Sequence, residues 1–242
     1  MAQDNIIHIL NKRLCLHQPE GGFRTSLDSV MLAAACPAKA GESILDLGCG
    51  VGGAGLSVLL RVEDAKLTGV DVQESHIALA QGNAALNEMD GRADFVCADI
   101  RDAALGAHNH VICNPPYLES GTHISSPNRQ KAMAMGHQDD DIDIKDWVGC
   151  AFDHIKGQGS LTMIHRSGQV DRIIQALGKR FGRTEIIPLW PRENVPAKRV
   201  IIRCWKHKKT ESVMHPGLTL HQENGEYTPE AQSILRDAQG LF

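Results

Sequence analysis

The chain reads as an α/β protein built on a doubly wound, mostly parallel sheet of about seven strands with one antiparallel edge strand. Three observations predict it. From residue 43 to residue 113, short apolar runs alternate with stretches of helical length. The first run leads into a glycine-rich turn, Gly48-Cys49-Gly50-Val51-Gly52-Gly53. Carboxylates (Asp46, Asp71 and Asp99) stand at or near the ends of the first three runs, where such sheets bind their ligands.

Taken in order, residues 7–23 alternate apolar and polar side chains around Gly21-Gly22, the pattern of a small hairpin. Ser26 suits an N-cap for a helix through Leu27, Val30, Met31 and Ala34. Asp28 stands in the first turn, where the helix dipole favours an acid, and Pro37 ends the segment. Residues 43–47 form the first strand and 54–60 the helix after the glycine turn. A second strand at 66–70 ends on Asp71, and a helix covers 74–87. The third strand, 93–98, ends on Asp99, and the apolar run 110–113 is the fourth. Residues 121–138 are polar, contain Pro127 and read as a loop with at most a short helix. The acidic run 139–143 leads into a helix near 147–155, whose N-terminal dipole it favours. A fifth strand lies at 160–164 and a helix at 170–181. Strands at 184–190 and 199–205 form an antiparallel hairpin at the sheet edge, with Pro191 and Pro196 between them. Leu218-Thr219-Leu220 and a helix at 231–238, after Pro229, close the chain. With no internal repeat and no long linker, one domain over 1–242 is expected. Residues 1–40 would be a small hairpin and helix element, and 41–242 the core and C-terminal tail.

The net charge of −4 argues against indiscriminate nucleic-acid binding, but its distribution is uneven. Between residues 165 and 209, twelve Lys/Arg face three Asp/Glu, which fits either a solvated basic face or an RNA-facing patch. Seven cysteines, an odd number with no C-x-x-C pair, fit small apolar residues in a reducing compartment. Twelve histidines form no cluster of metal-ligand spacing, so no metal is expected. The first residues lack a basic region followed by an apolar run, and no apolar stretch is long enough to span a bilayer. A soluble, cytoplasmic protein is expected, with no membrane contact and no stable protein partner implied.

A glycine turn after a strand serves dinucleotide and nucleoside binders alike. Asp46, two residues before Gly48, separates them: a carboxylate at the lip of the site would repel a pyrophosphate and attract a cation. S-adenosylmethionine, with its sulfonium and ammonium, fits. Asp71, 25 residues beyond Asp46, can accept from both ribose hydroxyls. Asp99 can accept from the adenine amine, with Ile100 or Val72 packing on the ring.

More specific is Asn114-Pro115-Pro116-Tyr117, following the fourth strand. Two prolines force a stiff exit from the sheet and carry no N–H, so the local backbone presents carbonyl oxygens. The Asn114 amide oxygen and the flat Tyr117 ring complete a seat for a planar group bearing an NH2.

Asp46-Leu47-Gly48-Cys49-Gly50 together with Asn114-Pro115-Pro116-Tyr117 resembles the class I S-adenosylmethionine-dependent methyltransferases that modify amino nitrogens. More narrowly, the chain is similar to the bacterial tRNA1(Val) (adenine(37)-N6)-methyltransferase family. That likeness runs through Arg24-Thr25-Ser26-Leu27-Asp28, Ser126-Pro127-x-x-Gln130, Lys198-Arg199-Val200 and Tyr227-Thr228-Pro229-Glu230-Ala231, nearly the whole chain. It implies a Rossmann-like fold and methyl transfer to the N6 amine of an adenine in tRNA. Asn114, Pro115, Pro116 and Tyr117 would be catalytic. Asp46, Gly48, Cys49, Gly50, Asp71, Val72, Asp99, Ile100, Asn114 and Asp28 would hold the cofactor. Asp28 lies in the shared stretch and fits either a pocket-lining acid or a helix-start acid. Arg129, Lys131, Lys198 and Arg199 are candidates for phosphate, and Tyr227 for packing.

Other substrates suit the same four residues: a protein glutamine amide, or an amine of ribosomal RNA or DNA. Only about 40 residues precede the first cofactor strand, which counts against the helical domain that glutamine methyltransferases usually carry. Asp46 counts against a nicotinamide-dependent dehydrogenase, and a purely RNA-binding module would leave the Asn-Pro-Pro-Tyr turn unexplained.

Overall fold

Side chains alternate across a strand, so a strand covered on both faces must be apolar throughout. The central runs of this chain obey that rule, and the structure covers both faces. It is a computed structural model that describes residues 6–19, 25–117 and 142–241. Strands β1 (Ile6–Ile9) and β2 (Leu14–His17) form an antiparallel hairpin. Helix α1 (Leu27–Ala35), β3 (Ser43–Leu47), α2 (Gly53–Arg61), β4 (Lys66–Asp71), α3 (Glu74–Leu86), β5 (Ala93–Cys97) and β6 (His108–Cys113) follow. Then come α4 (Ile144–His154), β7 (Ile155–Arg166), α5 (Val170–Leu177), β8 (Phe181–Trp190), β9 (Arg199–Lys206), β10 (Val213–Met214), β11 (Leu218–Thr219) and α6 (Pro229–Asp237).

The main sheet has the order β10-β8-β9-β7-β6-β3-β4-β5, with β11 also on β8. Seven of its strands are long, as the sequence predicts, and the other two are dipeptides. β5, β4, β3, β6 and β7 run parallel. β9 is the antiparallel strand, pairing with both β7 and β8 in the hairpin at that end of the sheet. Alternate residues feed two cores. Ile44, Ile112, Ile164 and Ile201 face the side covered by α1, α2 and α6. Leu45, Leu47, Val111, Met163 and Ile202 face α4 and α5.

Some element bounds move. The first hairpin turns at residues 10–13, where Leu10, Asn11 and Lys12 all have positive φ, and not at Gly21-Gly22, which lie outside the described residues. Its β2 edge is held by α3: Asn83 and Asn87, one turn apart, bond the backbone of His17 and Cys15 as a neighbouring strand would. The fifth strand of the core is longer than its apolar run because Ile155 pairs with His108 of β6 across a register shift before the regular pairing starts at Ser160. The helix expected at 170–181 stops at Leu177, since Phe181 already belongs to β8. The polar stretch 121–138 and the acids at 139–141 lie outside the described residues.

α1 is buried from Asp28 to Ala35, and β9 holds both its ends. Arg199 Nε donates to Asp28 Oδ2 at 2.9 Å, and Arg203 Nη1 donates to the Ala35 carbonyl at 2.9 Å. The spacing fits: four strand residues span about 13 Å and seven helical steps about 10 Å, at ~3.3 and ~1.5 Å per residue. Arg203 is in turn paired with buried Glu185. Removing one member of such a pair costs about 3–5 kcal/mol. Among the described residues, no helix is long and apolar enough to cross a membrane.

Candidate active site

At the carboxyl ends of β3, β4, β5 and β6 lies a cavity of about 260 Å³. One wall is the glycine turn. Gly48 and Gly50 have φ of +66° and +54°, a backbone region that a side chain disfavours. A Cβ on Gly48 would also stand 2.7 Å from the Trp147 ring of α4. Trp147 therefore closes the cavity against the turn, and only the positive-φ glycine signals it in sequence.

Asp71 ends β4 beside this turn. Its Oδ2 accepts the Gly50 N–H and its Oδ1 the Gln73 N–H, both at 2.9 Å. His76, in the first turn of α3, stands 3.5 Å away. Burial alone would raise the carboxyl, but His76 and the two N–H groups outweigh it and hold it below the usual carboxylate range. Each oxygen keeps an acceptor position for a ligand hydroxyl. Val72 is exposed on the rim and Ile100 buried at the back, so the two apolar residues predicted to pack on a ring do line the cavity.

Asp46 departs from expectation. It is 2% exposed, on the cavity floor instead of its lip. Because Leu45 and Leu47 face α4, period two turns Asp46 toward α2, where it accepts the Gly55 N–H at 2.9 Å. Burial pushes its carboxyl up to about 7; the Gly55 bond opposes this and the charge of Asp71 adds to it. Cys49 is buried and its thiol pushed up, again by burial, so it is a wall and not a nucleophile. Asp99 lines the cavity too, but its carboxylate is already gripped by Arg101 at 2.8 and 3.0 Å, which holds it below its ordinary pKa. Arg101 was not foreseen.

Opposite the glycine turn is the exit of β6. Asn114 and Pro116 line the cavity. Tyr117, expected to stack on a planar group, does not line it. Its ring packs against Arg199 and Arg166, whose guanidinium carbons lie 4.9 and 5.3 Å from the centroid, and edge-on to His165 at 4.8 Å. Its hydroxyl lies 2.7 Å from Asp28 Oδ2 and 3.2 Å from Asn114 Oδ1. Asp28 likewise leaves the cavity lining: it faces Tyr117 and Arg199, so its place among the cofactor residues is withdrawn. His165 is pushed down to about 4 by burial, with Arg166 and Arg199 adding to it. It is therefore neutral and weakly basic at pH 7.

The basic stretch does not form one face. Arg166 pairs in register with Arg199 at the cavity end, and Lys198 is adjacent. Arg183 and Lys208 lie over Trp205, toward the other end of β9. Tyr227 stacks on His221 and packs on the core, as expected. Arg129 and Lys131 lie outside the described residues.

Residues 24–188 match the family model described as "Methyltransferase small domain". Curated relatives include the tRNA1(Val) (adenine(37)-N6)-methyltransferases of Vibrio parahaemolyticus and Porphyromonas gingivalis. The first is 24% identical over 88% of this chain and 88% of its own length; the second is 25% identical over 90% and 89%. Among solved structures, an Agrobacterium tumefaciens protein described as a predicted O-methyltransferase superposes with a TM-score of 0.72. It is 24% identical, over 89% of this chain and 98% of its own. A methyltransferase from Pyrococcus furiosus shares the fold at a TM-score of 0.57 and 17% identity, over 80% and 89%.

Proposed function

The chain belongs to the methyltransferase small domain family, and on that premise we propose that it methylates the exocyclic N6 amine of an adenine in RNA, with S-adenosylmethionine as donor. The proposed target is adenine 37 of a tRNA anticodon loop. The observation that carries this reading is the exit of β6, where Asn114 and Pro116 line the same cavity as the glycine turn and Asp71. The donor's chemistry fits the residues present. Asp71 retains acceptor positions for the ribose, Val72 and Ile100 offer apolar contact to the base, and Gly50, where a Cβ would meet nothing within 4 Å, leaves room for the methionine portion. Asp46, only partly ionised near neutral pH, lies on the floor beneath it. When bound, S-adenosylmethionine contributes an electrophilic methyl on a sulfonium.

The protein's own part is positioning. An adenine amine is a weak nucleophile because its lone pair is delocalised into the ring. Asn114 Oδ1 and the Pro115 carbonyl accept its two N–H bonds, favouring a pyramidal nitrogen with its lone pair directed along the line of displacement. Orientation of this kind can lower a barrier by roughly 7–11 kcal/mol. No strong base is needed, because the amine loses its proton readily once it is alkylated; the weakly basic His165 agrees with that. A base in a loop is turned out of its stack at modest cost. Arg166, Lys198 and Arg199 would meet the flanking phosphates. The whole chain is read as one catalytic unit working in the cytoplasm.

The test is direct. Purified protein and labelled S-adenosylmethionine are incubated with total tRNA, total rRNA and a protein extract, and the digests are analysed. Label in N6-methyladenosine at position 37 of a tRNA supports the reading. Label in glutamine or rRNA overturns it.

A further inference from the structure

Tyr117 Oη has one proton and two oxygen neighbours. Asp28 Oδ2 lies at 2.7 Å and is an anion held by Arg199, whereas Asn114 Oδ1 lies at 3.2 Å and is neutral. The shorter, charge-assisted contact takes the proton. Burial, with Asp28 second, pushes the phenol well above its ordinary pKa, so that proton stays in place at any working pH. The contact to Asn114 then sets lone pair against lone pair. At the same time Asn114 Nδ2 is buried with no hydrogen-bond partner among the described residues. Exchanging the two ends of the amide removes both faults. Nδ2 then donates to Tyr117 Oη, and Oδ1 takes the other position, which is closed to solvent, in a residue that lines the cavity.

We propose that Asp28 is a positioning residue that fixes, through the single proton of Tyr117, which end of the Asn114 amide faces the substrate. The proposal rests on the reading of Asn114 as acceptor for the target amine. With Asp28 ionised, the tyrosine can only receive from Asn114, so the amide must present its oxygen to the N–H bonds of the substrate. An amide in position 28 could instead donate to the tyrosine. The phenol proton would then turn to Asn114 Oδ1 and leave Nδ2 facing the substrate amine, donor against donor. Arg199 holds the carboxylate in place from β9, which also explains why a polar triad is tied to the end of a buried helix.

The experiment is a double-mutant cycle with Asp28→Asn and Tyr117→Phe, read by single-turnover methyl transfer and by calorimetric titration with S-adenosylmethionine. Each single variant should lower the transfer rate by roughly tenfold or more, the scale of one hydrogen bond to a charged group, with cofactor affinity changed less than about twofold. The double variant should be no slower than the slower single, because both act through one proton. Multiplying effects, an unchanged rate in either single, or a loss of cofactor affinity in step with rate would overturn the proposal. Asp28→Asn also strands Arg199 and could fail to fold. Tyr117→Phe keeps the ion pair and carries the test alone: a slow, cofactor-binding variant supports the proposal, and an unchanged rate overturns it. If the wild type labels a glutamine amide and not adenine, the target reading falls while the cycle is run unchanged on that amide.

Discussion

Two polar triads stand at opposite ends of the same sheet. At the amino end, Glu42 Oε2 lies 3.0 Å from His110 Nε2, and His110 Nδ1 lies 2.8 Å from Ser160 Oγ. At the carboxyl end, Asp28 meets Tyr117, and Tyr117 meets Asn114. By residue type the first is the more suggestive, since an acid, an imidazole and a serine in hydrogen-bond sequence describe an activated nucleophile. Yet Ser160 is 0% exposed, between two strands, while Asn114 lines a cavity. The comparison teaches that access, not constellation, separates a site from a satisfied core. The amino-end triad pairs groups that would otherwise be buried unpaired.

The comparison breaks most sharply at Asn114. Asn114→Ala should lower methyl transfer by about 10²–10³-fold, the scale for removing a preorganised polar group, with cofactor affinity nearly intact. Single-turnover rates beside calorimetry check it, and equal loss of both would remove Asn114 from its role.

Next comes Asp46, the buried acid beneath the cavity. Its folded pKa, about 7, lies above the 3.8 of a free carboxyl. Its stabilising contribution is therefore fully present below pH 4 and lost as pH rises through 7, by about 1.4 kcal/mol per unit. Denaturant titrations of the wild type and of Asp46→Asn should diverge over that window, the wild type losing a few kcal/mol relative to the variant. A pH-independent difference would contradict the placement.

Asp71→Ala should weaken cofactor binding by roughly tenfold to a hundredfold, two lost hydrogen bonds at about 1–1.5 kcal/mol each. Ser160→Ala sharpens the contrast from the other end. It should cost about 1 kcal/mol of stability in a urea titration. The transfer rate should stay the same, and a changed rate would mean the amino-end triad is not merely structural. Smallest is Lys198→Ala, which should reduce the slope of log affinity for RNA against log salt by about one. An unchanged slope removes it from the phosphate contacts.

Much of this was legible beforehand because it is local. Short apolar runs located β3, β4, β5 and β6, and the glycine and proline turns located residues that line the cavity. What failed were statements about direction and partnership. The lip position of Asp46 ignored that its neighbours Leu45 and Leu47 must face α4. The role given to Asp28 ignored a partner 171 residues away on β9, and the Tyr117 ring was given to a base although two arginines pack on it.

The sequence by itself determined the alternation of strands and helices, the glycine cradle and the proline-stiffened exit, because each follows from backbone constraints acting within a few residues. Only the tertiary structure decided that α1 lies along β9, bringing Asp28 to Tyr117 and Arg199, and that Ser160 is sealed while Asn114 lines a cavity. Those facts depend on which distant elements share a face, and that is set by how all the apolar faces are buried at once.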